Sequence, residues 1–171
     1  MFFDIKQLQL GKVRFNETFA PGAIEFFDQQ IKLSAPIVTA GTAELMEALM
    51  EIRVAGHLKT EIESTCDRCL EPTSLPVDKE FDLIYRPAAM APEGEEVEVA
   101  QKETEVGFYE GEGLELSDVI REQILLDLPM RKTCSEECKG ICPVCGQNRN
   151  MVQCACHEEP ADDRWLGLKN L

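Results

Sequence analysis

The stretch IRVAGHLKTEIE, residues 52–63, decides how this chain is read. Ile52, Val54, Gly56, Leu58, Thr60 and Ile62 alternate with Arg53, Ala55, His57, Lys59, Glu61 and Glu63. A period of two sends successive side chains to opposite faces, so the pattern predicts a strand with one face buried and one in water. A second alternation runs through Leu75, Val77, Phe81, Leu83 and Tyr85, opposed by Asp78, Glu80, Asp82 and Arg86. Lys79 interrupts the apolar series and is expected to carry its ammonium to an edge. Between the two alternations lies Cys66-Asp67-Arg68-Cys69-Leu70-Glu71-Pro72. Two long antiparallel strands with a cysteine-bearing connection follow, and the core should be mainly β.

Toward the N-terminus the signals are coarser. Phe2, Ile5 and Leu8 are apolar near the start, Phe15 and Phe19 precede Pro21-Gly22, and Ile31-Lys32-Leu33 reads as a short strand ending before Pro36. By composition Ala43 to Ala48 suits a helical turn or two. Downstream, residues 88–113 change character. From Glu93 to Glu115 there are nine glutamates and one lysine, a balance of −8, and Pro87 and Pro92 interrupt regular structure. Such a run resists burial and predicts a mobile, solvated connection, with one short strand around Thr104 to Phe108. Leu116, Val119, Ile120, Ile124 and Leu128 then recur at helical spacing, with Ser117 as the expected N-cap, Asp118 in the first turn and Pro129 as the stop. That helix should lie across one face of the sheet, and Trp165, Leu168 and Leu171 should form a short docked turn. The fold class is therefore α+β: a mainly antiparallel β core, a packed helix and a C-terminal cysteine-rich metal-binding module. The expected organisation is a β-rich body at 1–87, an acidic connection at 88–115, and helix plus module at 116–171.

Six of the eight cysteines fall in CSEECKGICPVCGQNRNMVQCAC, residues 134–156. Thiolates are soft donors, and two cysteines separated by two residues can turn both sulfurs toward one tetrahedral ion. Cys142-Pro143-Val144-Cys145-Gly146 has the form of such a knuckle, with Gly146 easing the turn. Further ligands come from Cys134 or Cys138 on one side and Cys154 or Cys156 on the other. A closed thiolate site implies a structural ion, zinc (Zn2+) before an iron–sulfur cluster, with no position for a catalytic water. For Cys66 and Cys69 three readings stay open: ligands completing a second site, unpaired thiols at a hairpin end, or a redox pair. The redox reading prefers a helix N-terminus, which the flanking alternations disfavour. One zinc needs four cysteines; eight could serve two.

The 171 residues carry a formal net charge of −15, which opposes tight nonspecific binding to nucleic acid. Cations are nevertheless grouped. Arg53, Lys59 and Arg68, with His57, could form one basic patch, and Arg131, Lys132, Lys139 and Arg149 another around the metal module. Both patches are candidate contacts to RNA or to a partner, set against the plain reading of hydrated surface charge. No run of apolar residues reaches membrane-spanning length and no secretory leader is evident, so a cytoplasmic protein with reduced thiols is expected. No Ser/His/Asp arrangement, phosphate-cradling glycine loop or dinucleotide fingerprint points to an enzyme or to a small-molecule substrate. His57 and His157 read as solvated.

Taken together, Cys66-Asp-Arg-Cys69-Leu-Glu-Pro72, Leu128-Pro129-Met130 and CSEECKGICPVCGQNRN resemble the bacterial YceD family, the large ribosomal RNA subunit accumulation proteins. The resemblance implies a non-catalytic factor supporting large-subunit (23S) ribosomal RNA accumulation and ribosome assembly, through precursor RNA, a basic ribosomal protein, or both. It selects Cys66, Cys69, Cys138, Cys142, Cys145, Asn148, Cys154 and Cys156, with Cys134 where related chains often have cysteine. Arg149 departs from the pattern, standing where many relatives carry leucine. Two other functions remain in view: a zinc-stabilised protein-interaction module without RNA contact, and a metal- or thiol-dependent RNA-processing enzyme.

Overall fold

A computed structural model describes residues 1–26, 31–91 and 106–156 of the chain. They divide into two compact units. The first takes Met1–Ser64 and Ser74–Met130; the second takes Thr65–Thr73 and the chain from Arg131 onward. The helix grouped by sequence with the C-terminal module thus belongs to the first unit. The tip between the two long strands belongs to the second.

Along the chain the elements run β1 (Phe2–Asp4), α1 (Ile5–Gln9), β2 (Val13–Phe19), β3 (Lys32–Leu33), β4 (Ile37–Met46), β5 (Glu51–Thr65), β6 (Pro72–Pro87), a single 3-10 turn (Ala88–Met90), β7 (Val106–Tyr109), β8 (Gly113–Glu115) and α2 (Leu116–Asp127), all in the first unit except the facing ends of β5 and β6. The main sheet has the order β2-β4-β5-β6-β7, with β3 also paired to β5, while β1 and β8 form a separate antiparallel ribbon. The 52–63 alternation is realised as β5, whose Ile52, Val54, Leu58 and Ile62 have no exposed surface. The partners of β5 on β6 run in the opposite sense: Arg53 meets Asp82, His57 meets Asp78, and Glu61 meets Ser74. The two strands are therefore antiparallel. The sheet departs from the antiparallel expectation at one edge, where β7 runs parallel to β6 with Ile84 opposite Val106.

Local chemistry explains the strand breaks. The N–H groups of Ser34 and Ala35 both donate to the Glu61 carbonyl, at 3.0 and 3.4 Å, so two residues oppose one in a bulge just before Pro36. That bulge separates β3 from β4 along the same edge of β5. Gly41 and Gly56 face each other across β4 and β5. A Cβ on Gly41 would lie 2.7 Å from the Phe15 ring, and one on Gly56 would lie 3.1 Å from the Phe81 ring. Aromatic rings from the neighbouring strands thus occupy the space over both glycines. Phe15 also packs against Phe3, with ring centroids 5.6 Å apart.

Helix α2 closes this core with Leu116, Val119, Ile120 and Ile124, which join the buried set of Phe3, Phe15, Leu58 and Tyr85. At roughly 1.5–3 kcal/mol for each fully buried apolar side chain, that face alone fixes the helix against the sheet. Its N-cap is Glu115 rather than the expected Ser117, and no side chain caps it. The early ribbon has a short helix, α1, capped by Asp4 through a 2.7 Å bond to the Lys6 N–H. Ala43 to Ala48 is not helical: its first four residues finish β4 and the remainder begins a turn. Lys79, expected at an edge, instead pairs at 2.8 Å with Asp127 of α2. The acidic connection at 88–115 lies outside the described residues over 92–105, and its final part forms β7 and β8. His157, Trp165, Leu168 and Leu171 also lie outside them.

Candidate metal centre

The second unit gathers the eight cysteines into two sets of four. Cys66 and Cys69 meet Cys134 and Cys138; Cys142 and Cys145 meet Cys154 and Cys156. Within each set all four sulfurs lie within 4.8 Å of one another, and no disulfide joins any of them. Cys66–Cys138 is 3.9 Å and Cys69–Cys134 is 3.7 Å. Four sulfurs bound at about 2.3 Å to one tetrahedral ion would stand about 3.8 Å apart. Both arrangements could hold a metal. Among the described residues no histidine or carboxylate joins either set.

Each set begins in a knuckle. At Cys66-Asp67-Arg68-Cys69, the Leu70 N–H returns to the Cys66 carbonyl at 2.9 Å, and Leu70 takes a left-handed φ of 61°. At Cys142-Pro143-Val144-Cys145, the Gly146 N–H returns to the Cys142 carbonyl at 2.8 Å, and the Cys142 N–H donates to the Gln147 carbonyl at 2.8 Å. Gly146 has φ 72°, which the sequence anticipated from the turn alone. In both knuckles the first sulfur accepts backbone N–H groups from the third and fourth residues. Burial acts most strongly on the Cys66 thiol and pushes it up, yet the N–H groups of Cys69, Cys134 and Arg68 together bring it down to about 6. At Cys142 the N–H groups of Cys145 and Val144 lead, and the thiol falls to about 6. Each knuckle thus prepares its first cysteine as a thiolate, the form that binds metal, while Cys69, although the Glu71 N–H favours its thiolate, is pushed up to about 12 by burial and the neighbouring thiols.

Further residues hold the first set together, and the sequence did not single them out for this. Arg68 Nη1 donates to the carbonyls of Glu136, at 3.1 Å, and Cys138, at 2.8 Å. Asp67 locks the returning chain twice: its N–H donates to the Lys132 carbonyl at 2.8 Å, and its carboxylate accepts the Lys132 N–H at 2.6 Å. Asn150 Nδ2 donates to Cys138 Sγ at 3.3 Å, while Asn150 Oδ1 accepts the Lys139 N–H at 2.8 Å. The side-chain oxygen of Asn148 accepts the Asn150 N–H at 2.9 Å, and its amide reaches Glu71 at 3.3 Å. The available signal was the Asn-x-Asn spacing, since asparagine side chains readily take up neighbouring backbone groups. Cys138 is accordingly held below its ordinary value, chiefly by Asn150.

The basic candidates divide between the units. On β5, Arg53 is bound by Asp82 at 2.6 Å and Glu44 at 3.4 Å. Lys59 and His57 share Asp78, at 3.2 and 2.6 Å. Arg68 serves the first cysteine set. Arg131, Lys132, Lys139 and Arg149 lie in the second unit; Arg131, Lys139 and Arg149 are exposed and Lys132 is half-buried. Among the described residues no helix is long and apolar enough to cross a membrane.

Both cysteine sets fall inside a family match covering residues 54–171, described as "Large ribosomal RNA subunit accumulation protein YceD". The chain belongs to the YceD family. It is 24% identical over 155 residues to a chloroplastic YCED homolog 1 of Arabidopsis thaliana, named a large ribosomal RNA subunit accumulation protein. That match covers 76% of this chain and 47% of the relative. It is 30% identical over 118 residues to an uncharacterized protein of Mycobacterium tuberculosis, covering 68% of this chain and 54% of that one. The chain thus spans about half the length of these curated relatives. A Bacillus subtilis protein, YlbN, also uncharacterized, is 20% identical with 99% and 93% covered. No solved structure matches the chain.

Proposed function

We propose that this YceD-family chain is a non-catalytic factor supporting accumulation of large-subunit (23S) ribosomal RNA in the cytoplasm. Two zinc ions, one on each four-cysteine set, hold its second unit as a partner-binding module. The observation that carries the reading is the family match over 54–171, which contains most of β5, all of β6 and α2, and all eight cysteines. Zinc is the ion of choice because separations of 3.7–3.9 Å suit one tetrahedral centre. Thiolates on different irons of a cluster would stand further apart. Zinc bound by four thiolates supplies cross-linking rather than Lewis acidity, because no coordination position stays open. The chain's own residues do the remaining work. The knuckle N–H groups hold Cys66 and Cys142 ready as thiolates, and Arg68, Asp67 and Asn150 orient the segment carrying Cys134 and Cys138.

Contact with precursor RNA or a ribosomal protein is assigned to Arg131, Lys132, Lys139 and Arg149, cations of the unit that carries the cysteines, of which Arg131, Lys139 and Arg149 are exposed. A second reading keeps the zinc and drops direct RNA contact; the −15 charge of the chain favours it. An RNA-processing enzyme would need an open metal position or a general base beside the thiols. Crosslinking and pull-down from growing cells, divided into ribonuclease-treated and untreated halves, separates these readings, with bound metal counted on the same sample. Recovery of large-subunit precursor RNA with two zinc ions is expected. A ribonuclease-resistant complex without RNA crosslinks moves the function to protein binding, and turnover of precursor RNA by pure protein establishes an enzyme. Unchanged large-subunit RNA in depleted cells would sink the ribosomal role.

A further inference from the structure

Outside the cysteine sets, the first unit has an open groove of about 370 Å³ between the β1–β8 ribbon, the edge strand β7 and the N-terminal turns of α2. Phe2 and Phe108, residues 43% and 44% exposed, line it, and Tyr85 lines it from β6. Four carboxylates surround these rings: Glu110, Glu115, Asp118 and Glu122. Among the described residues, no lysine or arginine lines it. We propose that this groove docks an arginine- and lysine-rich polypeptide segment that carries apolar residues among its cations.

Stability of the fold explains only part of this composition. Glu115 and Asp118 sit at the first turn of α2, where negative charge offsets the helix dipole. They also have local partners, the Met1 ammonium at 3.7 Å and Arg121 at 2.8 Å. Glu110 lies outside the helix, and Glu122 lies in its second turn, so neither is explained by the dipole. Glu122 accepts the Tyr85 hydroxyl at 2.9 Å through one oxygen. Tyr85 itself registers the local field: burial, then the carboxylates of Glu122 and Asp118, drive its phenol upward from the ordinary value. Exposed aromatic faces flanked by carboxylates match guanidinium and ammonium groups on two counts, the ring quadrupole and the charge. The same carboxylates repel a phosphate backbone. A groove with apolar rings in it also discriminates a mixed basic and apolar segment from a purely charged one.

That such a segment belongs to a ribosomal protein rests on the function proposed above; the chemistry of the groove does not. The test uses the full chain and two labelled synthetic 16-residue peptides of equal charge. One mixes Arg, Lys and Leu, the other contains only Lys and Gly, and binding is followed by fluorescence anisotropy at physiological salt. The mixed peptide should bind at least tenfold tighter. Glu110→Gln with Glu122→Gln should weaken it at least tenfold, and Phe108→Ser at least threefold. Glu63→Gln with Glu80→Gln, an equal loss of charge at exposed positions elsewhere in the unit, should change it less than twofold. Glutamine retains an acceptor for Tyr85, and thermal melts confirm that each variant is folded. Equal losses for the two double variants, indifference to Phe108→Ser, or preference for a single-stranded RNA of the same length overturns the proposal. Failure of the ribosomal role appears separately, as unchanged large-subunit RNA on depletion, whatever the peptides do.

Discussion

The two cysteine sets close very different lengths of chain, and their loss should differ accordingly. In the first, Cys69 and Cys134 are 65 residues apart. In the second, the interval from Cys145 to Cys154 is nine residues. A cross-link stabilises the fold by removing freedom from the unfolded chain, and the entropy removed grows with the logarithm of the loop closed. The chain-entropy relation gives about 4.3 kcal/mol for the longer loop and about 2.6 kcal/mol for the shorter. Burial acts in the same direction, because Cys66, Cys69 and Cys138 are buried while Cys145 and Cys156 are exposed. Cys69→Ser and Cys145→Ser, each prepared with a mild chelator present, should both lower bound zinc from two ions to one. Cys69→Ser should then melt lower than Cys145→Ser by about 3–7 °C, the equivalent of roughly 1.7 kcal/mol in a chain this long. Calorimetry with metal analysis on the same samples measures both quantities. Equal melting temperatures, or a lower one for Cys145→Ser, would refute the reasoning that the first ion acts as the long-range staple.

Three other outcomes follow from single contacts. Asn150→Ala removes the donor to Cys138 and should weaken zinc retention against a competing chelator by roughly 10–100-fold, with two ions still bound at saturation; unchanged competition would leave Asn150 without a role at the metal. Gly41→Ala places a Cβ 2.3 Å from the Ala55 carbonyl and 2.7 Å from the Phe15 ring, and should cost about 1–3 kcal/mol in urea unfolding. A smaller loss would mean that β4 and Phe15 can move apart. The hydrogen bond from Arg53 holds the Asp82 carboxyl below its usual range, so its stabilisation is present above the unfolded value of about 4 and is lost as pH falls through the lower folded value. Asp82 is half-exposed, so Asp82→Asn should cost only roughly 0.2–1 kcal/mol at neutral pH, a cost that should shrink steadily as the pH is lowered below about 4. A gap in thermal melts that persists in acid would exclude this pair as its source.

The parts of the fold legible in sequence are those in which one periodicity dominates. Residues 52–63 and the helix at 116–127 bury one face each, and their patterns say so directly. Ala43 to Ala48 misleads because Ala, Glu, Leu and Met favour helices on their own. The register with β5, from Ala43 opposite Val54 to Met46 opposite Glu51, overrides that preference. The parallel pairing of β7 with β6, with Ile84 opposite Val106, is a tertiary choice that composition does not encode. The cysteine string announces metal chemistry, and adjacency suggests a single site built mostly within it. The actual grouping takes Cys134 and Cys138 away to Cys66 and Cys69, which only the tertiary structure brings near. Arg68 reads as a surface cation because its targets, the carbonyls of Glu136 and Cys138, are backbone atoms with no signature of their own.

The two units also differ in what keeps them folded. The first has a continuous apolar core, from Phe3 through Ile52 and Leu58 to Ile124, large enough to hold a sheet and a helix without help. The second has no such core among its described residues. Its buried cluster is Cys66, Cys69 and Cys138, while Leu70, Val144, Met151 and Val152 are exposed. Sulfur therefore occupies the place of hydrocarbon, and without a bound ion the unit would hold several thiols out of water for little return. Binding of structural zinc, worth about 10–16 kcal/mol in small domains, is of the size required to order such a segment. On the proposed reading, the backbone hydrogen bonds that place Lys132, Lys139 and Arg149 would persist only while the thiolates hold an ion. A chelator should abolish a contact made by those residues and leave the β-sheet signal of the first unit in place.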